Sequence, residues 1–182
     1  MTTLGRSKSA LLVIDVQNQV VDGAFNKDQV ITNINTAVAK ARSSGVPVVW
    51  VQHSDDWMPI DSHDWQIVPE LSPADSETRV RKLYRNSFEA TDLESILEKL
   101  DAGHVYICGA QTNNCIRFTT HGAQERGYDV TLLSDAHTTT DFTYEGSVIP
   151  AETLVRELNA TFGGGPLPGR VITSAKVESV FN

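Results

Sequence analysis

The stretch that decides the fold is HVYICGAQTNNCI, residues 104–116. Its first five residues form a short apolar run, which is typical of a buried β-strand, and a segment of helical spacing begins at about residue 113. Gly109 and the polar residues after it therefore occupy a junction between a strand and a helix. Cys115, one of two cysteines in the chain, lies at this junction.

The same alternation of apolar runs and helical segments extends along the chain. The other apolar runs are residues 10–16 (ALLVIDV), 46–51 (VPVVWV), 130–133 (VTLL) and 170–173 (RVIT), with a weaker run at 79–82 (RVRK). Helical spacing occurs at residues 30–41, 93–100, 113–126 and 151–162, the last of these before a glycine-rich loop, GGGPLPG. Val, Ile and Leu runs without polar alternation predict a parallel sheet covered by helices on both faces. We therefore predict one α/β domain.

Composition excludes several classes of protein. Hydrophobic residues make up 40% and charged residues 21% of the 182 residues, which is ordinary for a globular domain. The net charge of -8, with scattered basic residues, argues against nucleic acid or an anionic membrane as a partner. Two cysteines make no disulfide framework, and no apolar run is long enough to cross a bilayer. We expect a cytoplasmic protein.

Three chemically active residues follow predicted strands at the same edge of the sheet. Asp15 lies near the end of the first apolar run, Lys82 ends the weak run, and Cys115 follows the strand predicted at residues 104–108. Ligands of such sheets bind beyond the carboxyl ends of the strands. We expect Cys115 in the first turn of the third helix, where free N–H groups and the helix dipole lower the pKa of a thiol. An aspartate could move the thiol proton, and a lysine could stabilise both anions.

Each of these residues also has a structural explanation. Cysteine is among the most buried residue types, so Cys115 could be a core residue, as we expect for Cys108. Asp15 could be a loop residue or a helix cap, and Lys82 alone could be a solvated surface charge. The residues by themselves leave these alternatives open.

Three ordered motifs resemble those of the isochorismatase-like cysteine hydrolases, a superfamily that includes the nicotinamidase-related amidohydrolases. LLVIDVQNQVV resembles the opening strand, an apolar run followed by Asp-x-Gln. RKLYRNSFEATDL resembles the lysine segment. VYICGAQTNNCIRFTTHGAQERGYDVTLLSDAHTT resembles the segment that carries the nucleophile. The similarity extends from about residue 10 to residue 174.

This resemblance implies a fold and a mechanism. The fold is a single-domain, Rossmann-like three-layer sandwich over residues 1–182, with a six-stranded parallel sheet of order 3-2-1-4-5-6. Asp15 is implied as general base and acid, Lys82 as its charge partner and Cys115 as the nucleophile. A cis peptide precedes Gln111, and the N–H groups of Gln111 and Cys115 form the oxyanion hole. The implied reaction is cleavage of the C–N bond of a small amide through a thioester, by a homo-oligomer (dimer or tetramer).

The loop after the second strand bears on metals and on the substrate pocket. Asp61-Ser62-His63 has the Asp-x-His form of the nicotinamidase metal site, but no further histidine follows before His104, so we expect neither a metal nor another cofactor. The residues expected to line the pocket are Gln17, Phe25, His53, Trp57, Tyr84, Phe88 and Ile116.

Two other functions remain open on the sequence. One is hydrolysis of the vinyl ether of isochorismate, which protonates a carbon and does not require a cysteine. The other is a non-catalytic role in which Cys115 is a redox-sensing thiol. The sequence does not identify the substrate among small amides.

Overall fold

Two apolar strands, β1 (Lys8–Ile14) and β4 (Ala102–Ala110), run parallel at the centre of the sheet. Residues 10–14 are at most 1% exposed, because the sheet is covered on both faces. The computed structural model describes residues 4–164 and 169–181, so residues 165–168 of the predicted glycine-rich loop lie outside the described part.

The described residues contain the other strands and helices in an alternating order. They are α1 (Lys27–Ser43), β2 (Val48–His53), β3 (Thr78–Lys82), α2 (Leu93–Lys99), α3 (Arg117–Glu125), β5 (Asp129–Thr138), β6 (Phe142–Tyr144), β7 (Ser147–Ile149), α4 (Ala151–Gly163) and β8 (Ile172–Ala175). The main sheet has the order β3-β2-β1-β4-β5-β8, all in parallel pairs. The predicted order is confirmed; the sixth strand of the sheet is the eighth of the chain because a small hairpin precedes it.

That hairpin, β6 and β7, was not predicted. Its two strands pair antiparallel around Glu145 and Gly146, which both have positive φ angles of 48° and 78°. Positive φ at both central residues is the geometry of a two-residue type I′ turn. All residues of β6 and β7 are exposed, so the hairpin stands apart from the core.

The helices form a layer on each side of the sheet, as the strand pattern predicted. Helix α1 packs on one face, where Ile34 and Val38 contact a core that includes Leu11 and Trp50. Helices α2, α3 and α4 cover the other face, and their buried side chains share a second core with alternate residues of the same strands. The result is a three-layer α/β sandwich.

Strands β1 and β4 approach each other closely at Gly109. This residue has a φ angle of 120°, and a Cβ atom placed on it would lie 2.0 Å from the carbonyl oxygen of Ile14. Only glycine fits this close approach. Asp15 follows Ile14 directly, so Gly109 allows the two strand ends that carry Asp15 and Cys115 to lie side by side.

Between β4 and α3 the chain forms a wide, irregular helical turn, Thr112–Ile116. The expectation that the third helix begins near residue 113 was therefore wrong. Asn114 has φ -117° and ψ -109°, which are not helical values, and the N–H groups of Asn114 and Ile116 both donate to the carbonyl oxygen of Gln111. Cys115 thus lies in this turn, two residues before α3.

No helix in the described ranges is long and apolar enough to cross a membrane.

Candidate active site

Lys82 contacts both of the other predicted catalytic residues, Asp15 and Cys115. It is the last residue of β3, and it is only 2% exposed. Its Nζ atom lies 2.6 Å from Oδ2 of Asp15 and 3.2 Å from Sγ of Cys115. A buried lysine that contacts a carboxylate and a thiol is not a solvated surface charge, so the surface alternative for Lys82 is excluded.

Asp15 is held in place by the strand next to its own. Its backbone N–H donates to the carbonyl oxygen of Val51 in β2, and its φ angle is 50°. The side chain is buried, and Oδ1 has no hydrogen-bond partner among the described residues. Asp15 is therefore neither an exposed loop residue nor a helix cap, and its carboxylate contacts the ammonium group of Lys82.

The surroundings of Cys115 favour the protonated form of its thiol. Burial raises its pKa, the neighbouring Asp15 charge raises it further, and Lys82 only partly offsets both, which leaves the pKa at about 12. The expectation of a thiol activated by a helix N-terminus is thus not met, because Cys115 precedes the helix and lies beside a carboxylate. Cys108, by contrast, is fully buried in β4 and contacts the core, as expected.

The charge of Lys82 is reinforced by its two partners. Burial alone would lower its pKa, but the charge of Asp15, together with that of Cys115 when the thiol ionises, raises the pKa above its ordinary value. The site at rest therefore contains an ammonium group between a carboxylate and a thiol.

A second set of contacts fixes the segment after β3. The backbone N–H of Ser87 donates to Oγ1 of Thr119 in α3 at 3.0 Å, and the two hydroxyl oxygens are 2.9 Å apart. Gly122, one turn later, lies so close to Asn86 that a Cβ atom would be 2.4 Å from its amide nitrogen. The chain that follows Lys82 is thereby held against the helix that follows Cys115.

A cavity of ≈ 350 Å³ opens beside the three residues, and it is lined by Asp15, Gln111 and Cys115. His53 and Trp57, two of the expected pocket residues, also line it. Six further lining residues were not predicted: Gln19, Val20, Asp55, Met58, Arg85 and Asn114. They lie on the segments that follow β1, β2, β3 and β4, so their position after a strand end was the only available signal.

Five expected pocket residues lie elsewhere. Gln17 is fully buried and ties two segments together: its amide donates to the carbonyls of His53 and Trp65, and its carbonyl accepts from the His53 N–H. Phe88 packs on the ring of Tyr128, with 5.6 Å between ring centroids.

The remaining three do not line this cavity either. Ile116 is 0% exposed and belongs to the core beneath α3. Tyr84 is exposed and lines a separate depression beside Arg81. Phe25 is half-buried, and its backbone N–H donates to the carbonyl of Thr139. Apolar character alone did not distinguish pocket walls from packing.

The loop on one side of the cavity is organised by Asp55. Its Oδ1 accepts from the N–H groups of Trp57 and Met58, and its Oδ2 lies 3.2 Å from Nε2 of His53. Burial raises the Asp55 pKa, but these hydrogen bonds outweigh burial and leave the pKa below its ordinary value. A carboxylate at Nε2 places the proton of a neutral His53 ring there. Nδ1 is then an acceptor, and it is buried without a partner among the described residues.

The peptide bond between Ala110 and Gln111 is cis, as the resemblance implied. The Gln111 side chain donates to the carbonyl of Val20 and accepts from the amide of Asn114. These bonds link the turn that carries Cys115 to the loop that follows Asp15.

The described residues contain no group of three or more His, Cys, Asp or Glu side chains that could hold a metal ion. His63, in the Asp-x-His segment, is exposed and lies 3.4 Å from the carboxylate of Asp64.

Residues 9–149 match the family model of the isochorismatase domain. The chain belongs to the isochorismatase family. The isochorismatase family protein YddQ of Bacillus subtilis is 30% identical over 153 residues, which are 79% of this chain and 85% of YddQ. The ureidoacrylate amidohydrolase RutB of Klebsiella pneumoniae is 27% identical over 176 residues, covering 74% of this chain and 75% of RutB.

Solved isochorismatase structures share the fold. The crystal structure of an isochorismatase from Pseudomonas putida superposes with a TM-score of 0.84 at 26% identity, over 96% of this chain and 92% of the other. The isochorismatase family thus includes hydrolases, and among the relatives of this chain is an amidohydrolase.

Proposed function

We propose that this isochorismatase-family protein hydrolyses a small amide through a thioester on Cys115. The observation that carries the proposal is the position of Lys82, whose buried ammonium group contacts both Asp15 and Cys115, two residues that line a cavity of ≈ 350 Å³. A nucleophile, a proton acceptor and a cation within contact distance form a set suited to acyl transfer.

The first step makes the nucleophile when the substrate is bound. The resting thiol is protonated because its pKa is raised, so Asp15 has to accept the Sγ proton as the sulfur attacks. Lys82 stabilises the sulfur as negative charge develops on it. A thiol activated only during attack is protected from unproductive reactions in the resting enzyme.

The attack of sulfur on the amide carbonyl gives a tetrahedral oxyanion. The N–H groups of Gln111 and Cys115, two residues that line the cavity, receive this oxyanion. Asp15 then gives its proton to the leaving nitrogen, the C–N bond breaks, and ammonia or an amine departs. The acyl group stays on Cys115 as a thioester.

Water completes the cycle. Asp15, again a carboxylate, takes a proton from a water molecule that attacks the thioester carbonyl, and the same N–H groups hold the second oxyanion. Collapse breaks the C–S bond, Asp15 returns the proton to sulfur, and a carboxylic acid leaves. The enzyme ends with a thiol and a carboxylate, as it began.

Two observations weigh against the other functions. Redox-sensing thiols have a low pKa and are accessible, whereas burial and Asp15 raise the pKa of Cys115. Hydrolysis of a vinyl ether uses an acid to protonate carbon and needs no thiol, so it leaves the contact between Lys82 and Cys115 unexplained. RutB, a relative whose name gives an amidohydrolase activity, supports the amide reaction.

A panel of small primary amides and ureides, assayed for ammonia release, tests the proposal. We expect turnover by the wild-type protein and none by Cys115→Ala, with Cys108→Ala as the control for loss of a thiol outside the site. Equal turnover by the wild type and Cys115→Ala would exclude the thioester. Turnover of isochorismate by Cys115→Ala would favour the vinyl ether reaction.

Homo-oligomerisation, a cytoplasmic location and one functional domain spanning residues 1–182 remain predictions from the sequence. Sedimentation velocity of the purified protein tests the first of these.

A further inference from the structure

The charged groups that line the cavity beside Cys115 differ in how far the protein itself supplies them with partners. Asp15 is opposed by the ammonium group of Lys82 at 2.6 Å. Asp55 accepts two backbone hydrogen bonds and contacts the ring of His53, so its oxygens are engaged within the protein. Both acidic groups of the cavity thus have partners in the chain itself.

Arg85 is the charged lining residue that has no ion-pair or hydrogen-bond partner among the described residues. It is exposed. Its guanidinium carbon lies 5.6 Å from the centroid of the Phe118 ring. A guanidinium group that stacks on an aromatic ring keeps its N–H donors available, because they lie along the edge of the guanidinium plane. The cavity therefore presents one guanidinium group whose N–H donors are not engaged by the described part of the chain.

We propose that Arg85 binds a carboxylate of the substrate, and that the site takes a small amide with an anionic carboxylate at the end remote from the scissile bond. A guanidinium group offers two parallel N–H donors, which match the two oxygens of a carboxylate. Two other lining residues, Gln19 and Asn114, are neutral, and the lining carboxylate of Asp55 already accepts hydrogen bonds from the backbone. The inference rests on the proposed amide hydrolysis, because it names the class of amide.

Matched substrates of different charge test this assignment. The probes are malonamate, succinamate and glutaramate, each compared with the neutral diamide of the same length. At the chain length that is hydrolysed fastest, we expect kcat/KM per amide group to be at least about tenfold higher for the anionic amide than for the neutral diamide. This factor corresponds to one charge-assisted hydrogen-bonded contact. The preference should fall as salt is added.

Two substitutions assign the preference to Arg85. Arg85→Gln should reduce the ratio of anionic to neutral kcat/KM about tenfold, chiefly through KM for the anion, and Arg85→Lys should retain part of it. Arg81→Gln is the control. Arg81 is also exposed, with its guanidinium carbon 5.5 Å from the centroid of the Trp65 ring, but it does not line this cavity. The inference is overturned if wild type shows no preference, or if Arg85→Gln keeps it.

A binding measurement separates this inference from the proposed reaction. Malonate, succinate and glutarate are compared with the three diamides as protectants of Cys115 against alkylation by iodoacetamide. Protection by a dicarboxylate that is lost in Arg85→Gln supports the carboxylate site even if no amide is hydrolysed, a result that would refute only the reaction. Equal protection by dicarboxylates and diamides refutes the carboxylate site whatever the turnover.

Discussion

The ammonium nitrogen of Lys82 lies 2.6 Å from Oδ2 of Asp15, although Lys82 ends β3 and Asp15 directly follows β1, two strands that are separated in the sheet by β2. Both side chains are buried, and the second contact of the ammonium group, at 3.2 Å, is with Cys115. This ion pair connects the fold to the proposed chemistry, because parallel strands bring their carboxyl ends to one edge of the sheet.

Removing the charge of Lys82 should damage both stability and turnover. In Lys82→Met the Asp15 carboxylate stays buried without its cation, which should lower the free energy of unfolding by about 3 kcal/mol. Loss of the charge that stabilises the thiolate should lower kcat/KM by at least about 100-fold. Urea unfolding and amide turnover measure the two effects. The matched control is Lys99→Met, which changes an exposed lysine of α2. Wild-type stability and wild-type turnover in Lys82→Met would contradict the role of Lys82 as the charge partner of Asp15 and Cys115.

Asp15 and Lys82 should change the reactivity of Cys115 in opposite directions. Asp15 raises the pKa of the thiol and Lys82 lowers it, beneath a larger effect of burial. At pH 8 we expect Asp15→Asn to be alkylated by iodoacetamide faster than wild type and Lys82→Met more slowly. Asp15→Asn should nevertheless lose turnover, since no carboxylate remains to move the proton. Peptide mass spectrometry assigns the label to Cys115, and slower labelling of Asp15→Asn would refute this assignment of charges.

The close approach of β1 and β4 should make Gly109 irreplaceable. In Gly109→Ala the Cβ atom would meet the Ile14 carbonyl oxygen at 2.0 Å, so backbone has to move. We expect a loss of about 3 kcal/mol in unfolding free energy and loss of turnover, because Asp15 shifts with Ile14. Gly45→Ala controls for backbone conformation alone: Gly45 has a φ of 68°, and nothing lies within 4 Å of an added Cβ. Gly45→Ala should lower the free energy of unfolding by about 1 kcal/mol.

The stability of the protein should fall between neutral and mildly acidic pH because of His137. Its Nδ1 contacts the Thr112 hydroxyl and its Nε2 contacts Asn159, and burial lowers its pKa to about 4 despite the opposing effects of Asn159 and Asp135. The unfolded chain therefore binds this proton first, at pH near 6.5. Stability is complete above that pH and is lost as the pH falls towards 4, by at most about 3 kcal/mol.

Urea unfolding at pH 7 and pH 5 checks this expectation. His104 contributes in the same direction, because burial lowers its pKa, so His104→Gln is measured beside His137→Gln. The pKa of Glu77 is about 2, and its contribution is lost only below pH 4.5. His63→Gln, at an exposed site, should keep the wild-type slope. A slope unchanged in His137→Gln would show that another group is responsible.

The parts of the molecule that could be predicted from sequence are those governed by periodic patterns. Continuous apolar runs predicted the buried parallel strands, and the edge rule for such sheets predicted that Asp15, Lys82 and Cys115 would lie together. Parallel strands bring their carboxyl ends to one edge of the sheet. The sequence could therefore predict that the residues at those ends lie near one another.

The other features depend on contacts that have no period. The spacing after residue 113 is compatible with a helix, yet Asn114 departs from helical angles and Cys115 lies in an irregular turn. The raised pKa of the thiol follows from burial beside Asp15, which a one-dimensional pattern does not contain. Gln17 was expected in the pocket, but its side-chain amide donates instead to the backbone carbonyls of His53 and Trp65.

The central claim is that Cys115 becomes acylated, and intact-protein mass spectrometry after rapid acid quench tests it most directly. The substrate is the best amide of the panel, and Asp15→Asn is measured with wild type, since both the formation and the hydrolysis of the thioester need the carboxylate. We expect an adduct on wild-type Cys115 with the mass of the substrate's acyl group, sensitive to hydroxylamine, and none on Cys115→Ala or Asp15→Asn. Steady turnover with no such adduct at any quench time, together with turnover by Cys115→Ala, would contradict the account.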